Sequence, residues 1–590
     1  MPAGNCSVLV VLDSRRIAER ASADRTVFAA LDHFRPAWEA LECACQYALP
    51  PGHVSPRAAY ILAHDGAGAG LPARAATEIA EAVRAGAGLI SFDREVEKWP
   101  ECLRALVPAP AGVTTVEQLR FPAPPGFITH GHAEGETLSL FAPLQVVTFE
   151  AAEGFQSLVQ TLDGRCVIAS AQVGAGRVVV FGTGEQIYAD GILGHTRGID
   201  GLMWRSLIWA AAKPFPMRCI PPYIAARMDD CHGTHTAFRY VDVLNRHGIG
   251  PNLGLFIDEM GPTDWAAARR LFEKGGADFS MHAFRDDFYK ASPKWRPYGV
   301  LPDKPDLSDG GKHTAFEGLS VDHQTGRDLD DETVRRNFKR MDDAFARAGI
   351  KHSRVLNSHF GEIGWRAVPL FLERGVEFPC NNSVVGQLYG NQPPWRPKPY
   401  GVRGPNGRHG LVLDRCPRHP GFTFIGSAPS HLGGTYMITD ILYGHTPFYG
   451  ESDRSRPDDS IARGIANLKL ELDNLAFGEI FCHEERIDCI SLEEWEYIIE
   501  GIIRGISDCD WIPAEREQVS VTCKRLIDSG LVYADVTESG LHCEFSGVTD
   551  GPSPLTLWVN EGDSCRRLMT DIPQLEGFLA LDLPESIYAS

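Results

Sequence analysis

The sequence predicts a multidomain α/β protein: an open α/β layer, then a (β/α) barrel, then a small β-sandwich. Over residues 216–512, apolar strand-like runs alternate with helical stretches, and nearly every run delivers ionisable or amide residues at its carboxyl end. Residues 1–215 also alternate strand and helix, but without that recurrent polar rim. Residues 513–590 carry short β-branched and aromatic runs separated by Gly, Asp and Ser. At 590 residues the chain is too long for one core; length alone suggests about three or four domains, and three are read here.

In the first part, Ser7–Leu12 and Ala58–Leu62 read as buried strands, the second ending at His64-Asp65-Gly66. Ala73–Arg84 has helical spacing, stops at Gly86 and leads into the strand Leu89–Phe92. Cys166–Ala171 and Arg177–Phe181 read as a hairpin turned at Gly174-Ala175-Gly176. The cluster Gly66-x-Gly68-x-Gly70 follows a strand but lacks the G-x-G-x-x-G spacing of a dinucleotide loop, so a phosphate site is not expected there. The segments A-V-R-A-G-A-G-L-I-S-F (82–92) and G-A-G-R-V-V-V-F-G-T-G (174–184) resemble the glutamine-amidotransferase-like, flavodoxin-type domain appended to many carbohydrate enzymes. The catalytic version of that family has a G-x-C-x-G elbow, which this chain lacks, so a non-catalytic domain is expected. After the apolar helix Trp204–Ala212, Lys213-Pro214-Phe215-Pro216 breaks the chain and marks a junction.

The barrel segment opens with Y-I-A-A-R-M-D-D-C-H-G (223–233), a strand running straight into Asp229 and Asp230. Two adjacent carboxylates do not suit a strand interior, where successive side chains face opposite ways and an isolated buried charge is costly. At the carboxyl rim of a barrel they suit chemistry, one holding a cation while the other takes a proton. Further strands follow: Leu253–Ile257, Asp278–Met281 delivering His282 and Asp286, and Arg354–Asn357 delivering His359 and Glu362. Val376–Pro379 leads to Asn381-Asn382, and Glu479–Cys482 delivers His483, Glu484 and Glu485. The helices Asp330–Ala348, Ser460–Leu475 and Ser491–Arg504 lie between or after them. The loop through about Asp328 is rich in Pro, Gly and Asp and, with Trp295, Tyr298, His313 and His323, suits substrate covering; a Pro- and aromatic-rich excursion follows over 390–455. In the tail, Gln518–Cys523, Val532–Val536, Leu541–Phe545 and Leu555–Val559 read as sandwich strands.

A net charge of −20 argues against a nucleic-acid partner, and no apolar run reaches the roughly 20 residues a membrane helix needs. The N-terminus lacks a basic leader, and the 15 cysteines show no CxxC pairs, so a reduced, cytoplasmic chain is expected. The oligomeric state is left open, a homo-oligomer included.

A carboxylate and two imidazoles gathered at one rim suit a Zn²⁺-like ion with a position left for water. R-M-D-D-C-H-G resembles the T-F-D-D-G strand end of the NodB-type polysaccharide deacetylases. The resemblance implies base for Asp229 and metal for Asp230; His282 in H-A-F-R-D matches the first histidine ligand, with Asp286 where the family has a second histidine. It implies general acid for His483, and either Asp286 or His359 completes the metal set. The function implied is metal-dependent hydrolysis of an N- or O-acetyl group on a glycan or amino sugar. Three alternatives stand beside it: a glycoside hydrolase pairing Asp229 with Glu362 or Glu484, a lyase or epimerase with His359 as base, and a non-catalytic carbohydrate-binding protein.

Overall fold

The computed structural model describes residues 4–43, 54, 56–233, 236–286, 316–322, 327–380, 384–385, 413–416, 418–426, 440–443 and 456–588. It divides into two compact units: 1–220 with 473–475 and 525–590, and 221–472 with 476–524. Helices and sheets are mixed in both. Among the described residues no helix is long and apolar enough to cross a membrane.

The first unit is built on a nine-stranded sheet. Val8–Leu12, Trp38–Glu42, Ala59–Leu62, Gly88–Ser91 and Gly176–Phe181 pair in parallel, and numbered along the chain they lie in the order 2-1-3-4-5. That is the order of flavodoxin-type doubly wound sheets. Val8–Leu12 is buried throughout, as a strand covered on both faces must be. Beyond Gly176–Phe181 the sheet turns antiparallel through Cys166–Val173, the hairpin partner expected, and Thr137–Phe149, Pro110–Arg120 and Phe155–Gln160. The strands beyond Cys166–Val173 were not legible, because exposed Val113 and Phe141 blur the apolar alternation.

The amides of the Gly66–Gly70 loop already hold an anion of the chain's own: Gly66 and Gly68 donate to the two oxygens of Asp93 at 2.9 and 2.8 Å. A Cβ at Gly68 would come within 2.7 Å of the Trp99 indole nitrogen, which also donates to Asp93. Burial leaves Asp93 raised to about 6 in spite of these donors.

In the tail, Ser529–Thr537, Gly540–Val548 and Glu576–Pro584 form one sheet, and Ser553–Glu561 with Ser564–Ile572 forms a second. Leu541, Phe545, Leu555 and Leu557 share one core between them. The strand expected at Gln518–Cys523 is instead part of the helix Arg516–Ile527. Arg516, Val519, Ser520, Cys523 and Leu526 are all fully buried, a spacing of three and four that only a helix can place on one face.

The second unit carries parallel strands in the order Asp278–Asp286, Pro251–Phe256, Tyr223–Cys231, Gly478–His483. Val355–Leu356 continues the row beside Asp278–Asp286, with the Ser353 amide donating to Phe279 at 2.7 Å, and pairs in parallel with Phe378–Pro379. Helices Tyr240–Asn245, Pro262–Glu273, Asp331–Ala348, Ala367–Glu373, Pro457–Asp473 and Leu492–Gly505 pack a single apolar core with these strands. Asp330 caps Asp331–Ala348 by accepting from the Thr333 amide, and Gly349 closes it in the left-handed region at φ +68. Because the strands are parallel, their carboxyl ends share one rim, and Asp229, Asp230, His282 and His483 all stand there.

Candidate metal centre

The rim is shaped by a break in regularity. Alternation along Tyr223–Cys231 would send Asp229 and Asp230 to opposite faces. The register of this strand slips between Met228 and Cys231, and Asp230 sits at φ +59. Asp is among the few non-glycine residues that tolerate the left-handed region, and a bulge there re-aims a side chain. Both carboxylates are thereby kept inside, each 4% exposed.

The Asp230 Oδ1 atom lies 2.9 Å from His282 Nε2 and 3.0 Å from His359 Nδ1, and the two nitrogens are 3.1 Å apart. All three residues are buried, and together they form the cluster able to hold a metal among the described residues. His282 Nδ1 lies 2.6 Å from the Asn357 carbonyl, to which it must donate. Nε2 then faces a carboxylate oxygen at 2.9 Å, with a lone pair in the neutral ring and as a donor in the imidazolium. Two acceptors that close require a proton or a cation between them. Donor atoms of a tetrahedral zinc site, each roughly 2.0–2.1 Å from the ion, are roughly 3.3 Å apart. The observed triangle is within a few tenths of an ångström of that, so these residues fit such an ion. Gly254 makes room for the set: a Cβ there would stand 2.7 Å from both His282 Nδ1 and Asn357 Nδ2.

Burial would raise Asp230, but the bond from His282 and the charges of His359 and His483 outweigh it and keep the carboxylate ionised. Asp229 does not enter the triangle. Arg227 Nη1 donates to both of its oxygens at 2.8 Å, and Asn357 Nδ2 donates to Oδ1 at 2.7 Å. Arg227 in turn reaches Glu479 at 3.3 Å, and Glu479 accepts from Arg516 at 2.8 Å. A buried line of alternating charge therefore anchors Asp229 from beneath.

His483 stands in register with Asp229 on the neighbouring strand. Its Nδ1 lies 2.6 Å from Asp440 Oδ2, which Arg486 also approaches at 3.2 Å. Burial alone would lower His483, yet the charge of Glu485 and the Asp440 bond raise it to about 9. Although burial works against it, the Arg486 charge and the His483 bond hold Asp440 down at about 2. The ring is thus an imidazolium oriented through Nδ1, with Nε2 as the nitrogen able to release a proton.

The structure therefore brings together Asp229, Asp230, His282, His359 and His483. Glu484 is engaged elsewhere: it accepts from the His232 and Gly233 amides and from the Tyr240 hydroxyl at 2.7 Å. Burial, with the nearby Asp488 charge, pushes it up to about 8. Its work is to hold the loop that follows Asp230. Asp286 ends a described strand and Glu362 begins another, but their side chains lie outside the described residues, as do Asn381 and Asn382. Three members were missed. Arg227 was findable, two positions before Asp229 and so on the same face of the strand; Asn357 was read as the end of its strand without a role. Asp440 lies within the long excursion and had no strand to announce it.

No family model matches the sequence, and no curated protein sequence matches it. Among solved structures, a protein described as a polysaccharide deacetylase from Mycobacterium smegmatis is similar over 53% of this chain and 94% of its own, at 12% identity and a TM-score of 0.32. A cytoplasmic protein from Salmonella typhimurium is similar over 30% of this chain and 82% of its own, at 11% identity and a TM-score of 0.22. An exo-beta-1,4-mannosidase from Opitutaceae bacterium strain TAV5 is similar over 30% and 31%, at 16% identity and a TM-score of 0.21. At TM-scores this low none of these likenesses carries an argument about this chain. What fold and site define by themselves is an α/β protein with a buried Asp-His-His cluster at the carboxyl rim of a parallel sheet, flanked by a second carboxylate and an imidazolium.

Proposed function

We propose that the second unit is a metal-dependent hydrolase on a deacetylase-like barrel, removing an N- or O-acetyl group from a glycan or amino sugar. The observation that carries the proposal is the convergence of Asp230 Oδ1, His282 Nε2 and His359 Nδ1 within 3.1 Å of one another, beside Asp229 and His483. That the acyl group sits on a sugar rests on the resemblance of R-M-D-D-C-H-G to the NodB-type strand end.

Asp230, His282 and His359 would hold a zinc-like ion. When bound, such an ion lowers the pKa of a water and polarises an acyl carbonyl. Asp229, steadied by Arg227 and Asn357, is the carboxylate placed to accept the proton of the attacking water. His483, kept protonated by Asp440, is the group placed to give a proton to the departing amine or alcohol. Asp229 and His483 lie across adjacent strands, so acid and base face the same rim from neighbouring positions. Of the two glycosidase pairings, the one with Glu484 is disfavoured, since Glu484 spends its oxygens on backbone amides and a tyrosine, while the side chain of Glu362 lies outside the described residues.

The test is acetate release from N-acetylglucosamine oligomers by zinc-loaded protein, compared with chelator-treated protein and the Asp229→Asn and His483→Gln variants. Release that needs the metal and falls at least a hundredfold in both variants is expected. Cleavage between sugars without acetate release, or equal acetate release by the variants, would overturn the proposal.

A further inference from the structure

The first unit contains a cavity of about 350 Å³ on the side of its sheet away from the Asp93 loop. It lies where the parallel strands begin: Arg57-Ala58 precede one strand, Gly86-Ala87 another, and Arg177 starts a third. Much of its wall is small and apolar, from Ala82, Ala85, Ala87, Ala175, Ala210 and Ala211.

Its charge is unbalanced. Among the described residues Arg57, Arg177 and Lys213 line it, and no Asp or Glu does. Arg57 is compensated by Glu39 at 3.2 Å. Arg177 is not: Nη1 donates to the Trp209 carbonyl at 2.8 Å and to Asn560 Oδ1 at 3.3 Å, both uncharged. Lys213 has no carboxylate partner among the described residues either: its ammonium donates to the Ile208 and Ala211 carbonyls at the carboxyl end of the helix Asp200–Ala210, whose partial negative charge offsets it in part, and the Cys565 thiol lies beside it. Burial and, to a smaller degree, the Arg177 charge pull Lys213 down to about 8, so the two cations feel one another. Two like charges facing one cavity without a carboxylate are unfavourable by themselves and favourable once an anion completes them.

We propose that this cavity binds a small organic dianion, a phosphate monoester or a dicarboxylate, with its charges at Arg177 and Lys213 and its uncharged part against the alanines. Arg177 offers a planar fork through its remaining N–H groups, and Lys213 a point charge. The cavity belongs to the first unit alone and is independent of the chemistry proposed for the second.

The test is isothermal titration calorimetry of the full chain in a chloride buffer. The probes are glycerol 3-phosphate and succinate, with glycerol as the uncharged control. One dianion binding at a single site while glycerol does not is the expected result, and which of the two binds tells phosphate from carboxylate. Arg177→Gln and Lys213→Met should each weaken binding ten- to a hundredfold, the worth of a charge-assisted hydrogen bond. Ala175→Leu keeps both charges but enlarges a side chain that lines the cavity, and should weaken binding at least tenfold. Because Ala175 sits on an exposed turn, this variant decides the matter should either charge variant fail to fold. No heat from either dianion up to about 10 mM, or binding indifferent to the three substitutions, would overturn the proposal.

Discussion

Arg227→Gln is the substitution that separates support of the site from its chemistry. Arg227 is 3% exposed and stands between two buried carboxylates, 2.8 Å from Asp229 and 3.3 Å from Glu479. With Arg516 on the far side of Glu479, two cations balance two anions. Removing Arg227 leaves one buried negative charge uncompensated, a change worth about 3–5 kcal/mol when one partner of a buried pair is deleted. For a unit of this size that is roughly 6–12 °C in the unfolding midpoint. Calorimetric unfolding of the Arg227→Gln chain should show the loss in one transition and leave the other in place. A second substitution, Glu479→Gln, restores the balance and should recover most of the midpoint. Acetate release should stay low in the double variant, because Asp229 has still lost the Arg227 donor to both its oxygens. A single variant within about 1 kcal/mol of wild type, or a double variant as damaged as the single, would refute the reading of a charge-balanced support.

Other outcomes follow from the same geometry. In chelator-treated protein, His483 should titrate near 9, and Asp440→Asn should bring it down by about one to two pH units, seen by histidine NMR against a His483→Gln control. As a histidine raised above its ordinary value, His483 stabilises the fold fully below pH 6.5, and that stability is lost as the pH rises through about 9; Asp440→Asn should narrow this window. Asp278 is buried, has Glu517 and Glu515 nearby, and is raised to about 7 chiefly by burial. Its contribution is present below the ordinary value of 3.8 and lost as the pH rises through about 7, so Asp278→Asn should leave stability unchanged near pH 4 and raise it by up to about 4 kcal/mol at pH 8. The amide oxygen can keep the bonds from Asn252 at 2.9 Å and Ser353 at 2.5 Å, and denaturant titration at the two pH values checks the difference.

Much of the second unit could be read from sequence because its signals are local and agree with one another. Helix Asp331–Ala348 has an Asp cap, an apolar stripe through Val334, Phe338, Met341 and Phe345, and a glycine stop, and it was expected over Asp330–Ala348. The strands that carry Asp229, His282 and His483 were legible as apolar runs reaching ionisable residues, although the first two run on to Cys231 and Asp286. What was not legible depends on distance or on backbone conformation. Nothing local shows that Asp230 adopts φ +59, yet that conformation lets two adjacent carboxylates serve one rim. Asp440 is 43 residues from His483 and meets it only through the fold. The helix Arg516–Ile527 was mistaken for a strand because V-S-V-T alternates over four residues, while the burial that decides the matter runs at helical spacing. Glu484 drew attention by standing beside His483, and only the structure shows its carboxylate turned to the His232 and Gly233 amides.

The most direct measurement is elemental analysis of the full chain purified without chelator, alongside Asp230→Ala, His282→Ala and His359→Ala. About one equivalent of zinc or a similar divalent ion in the wild type, lost in all three variants while their unfolding midpoints survive, is the predicted result. A wild type without stoichiometric metal, or variants that keep it, would contradict a metal centre at these three residues.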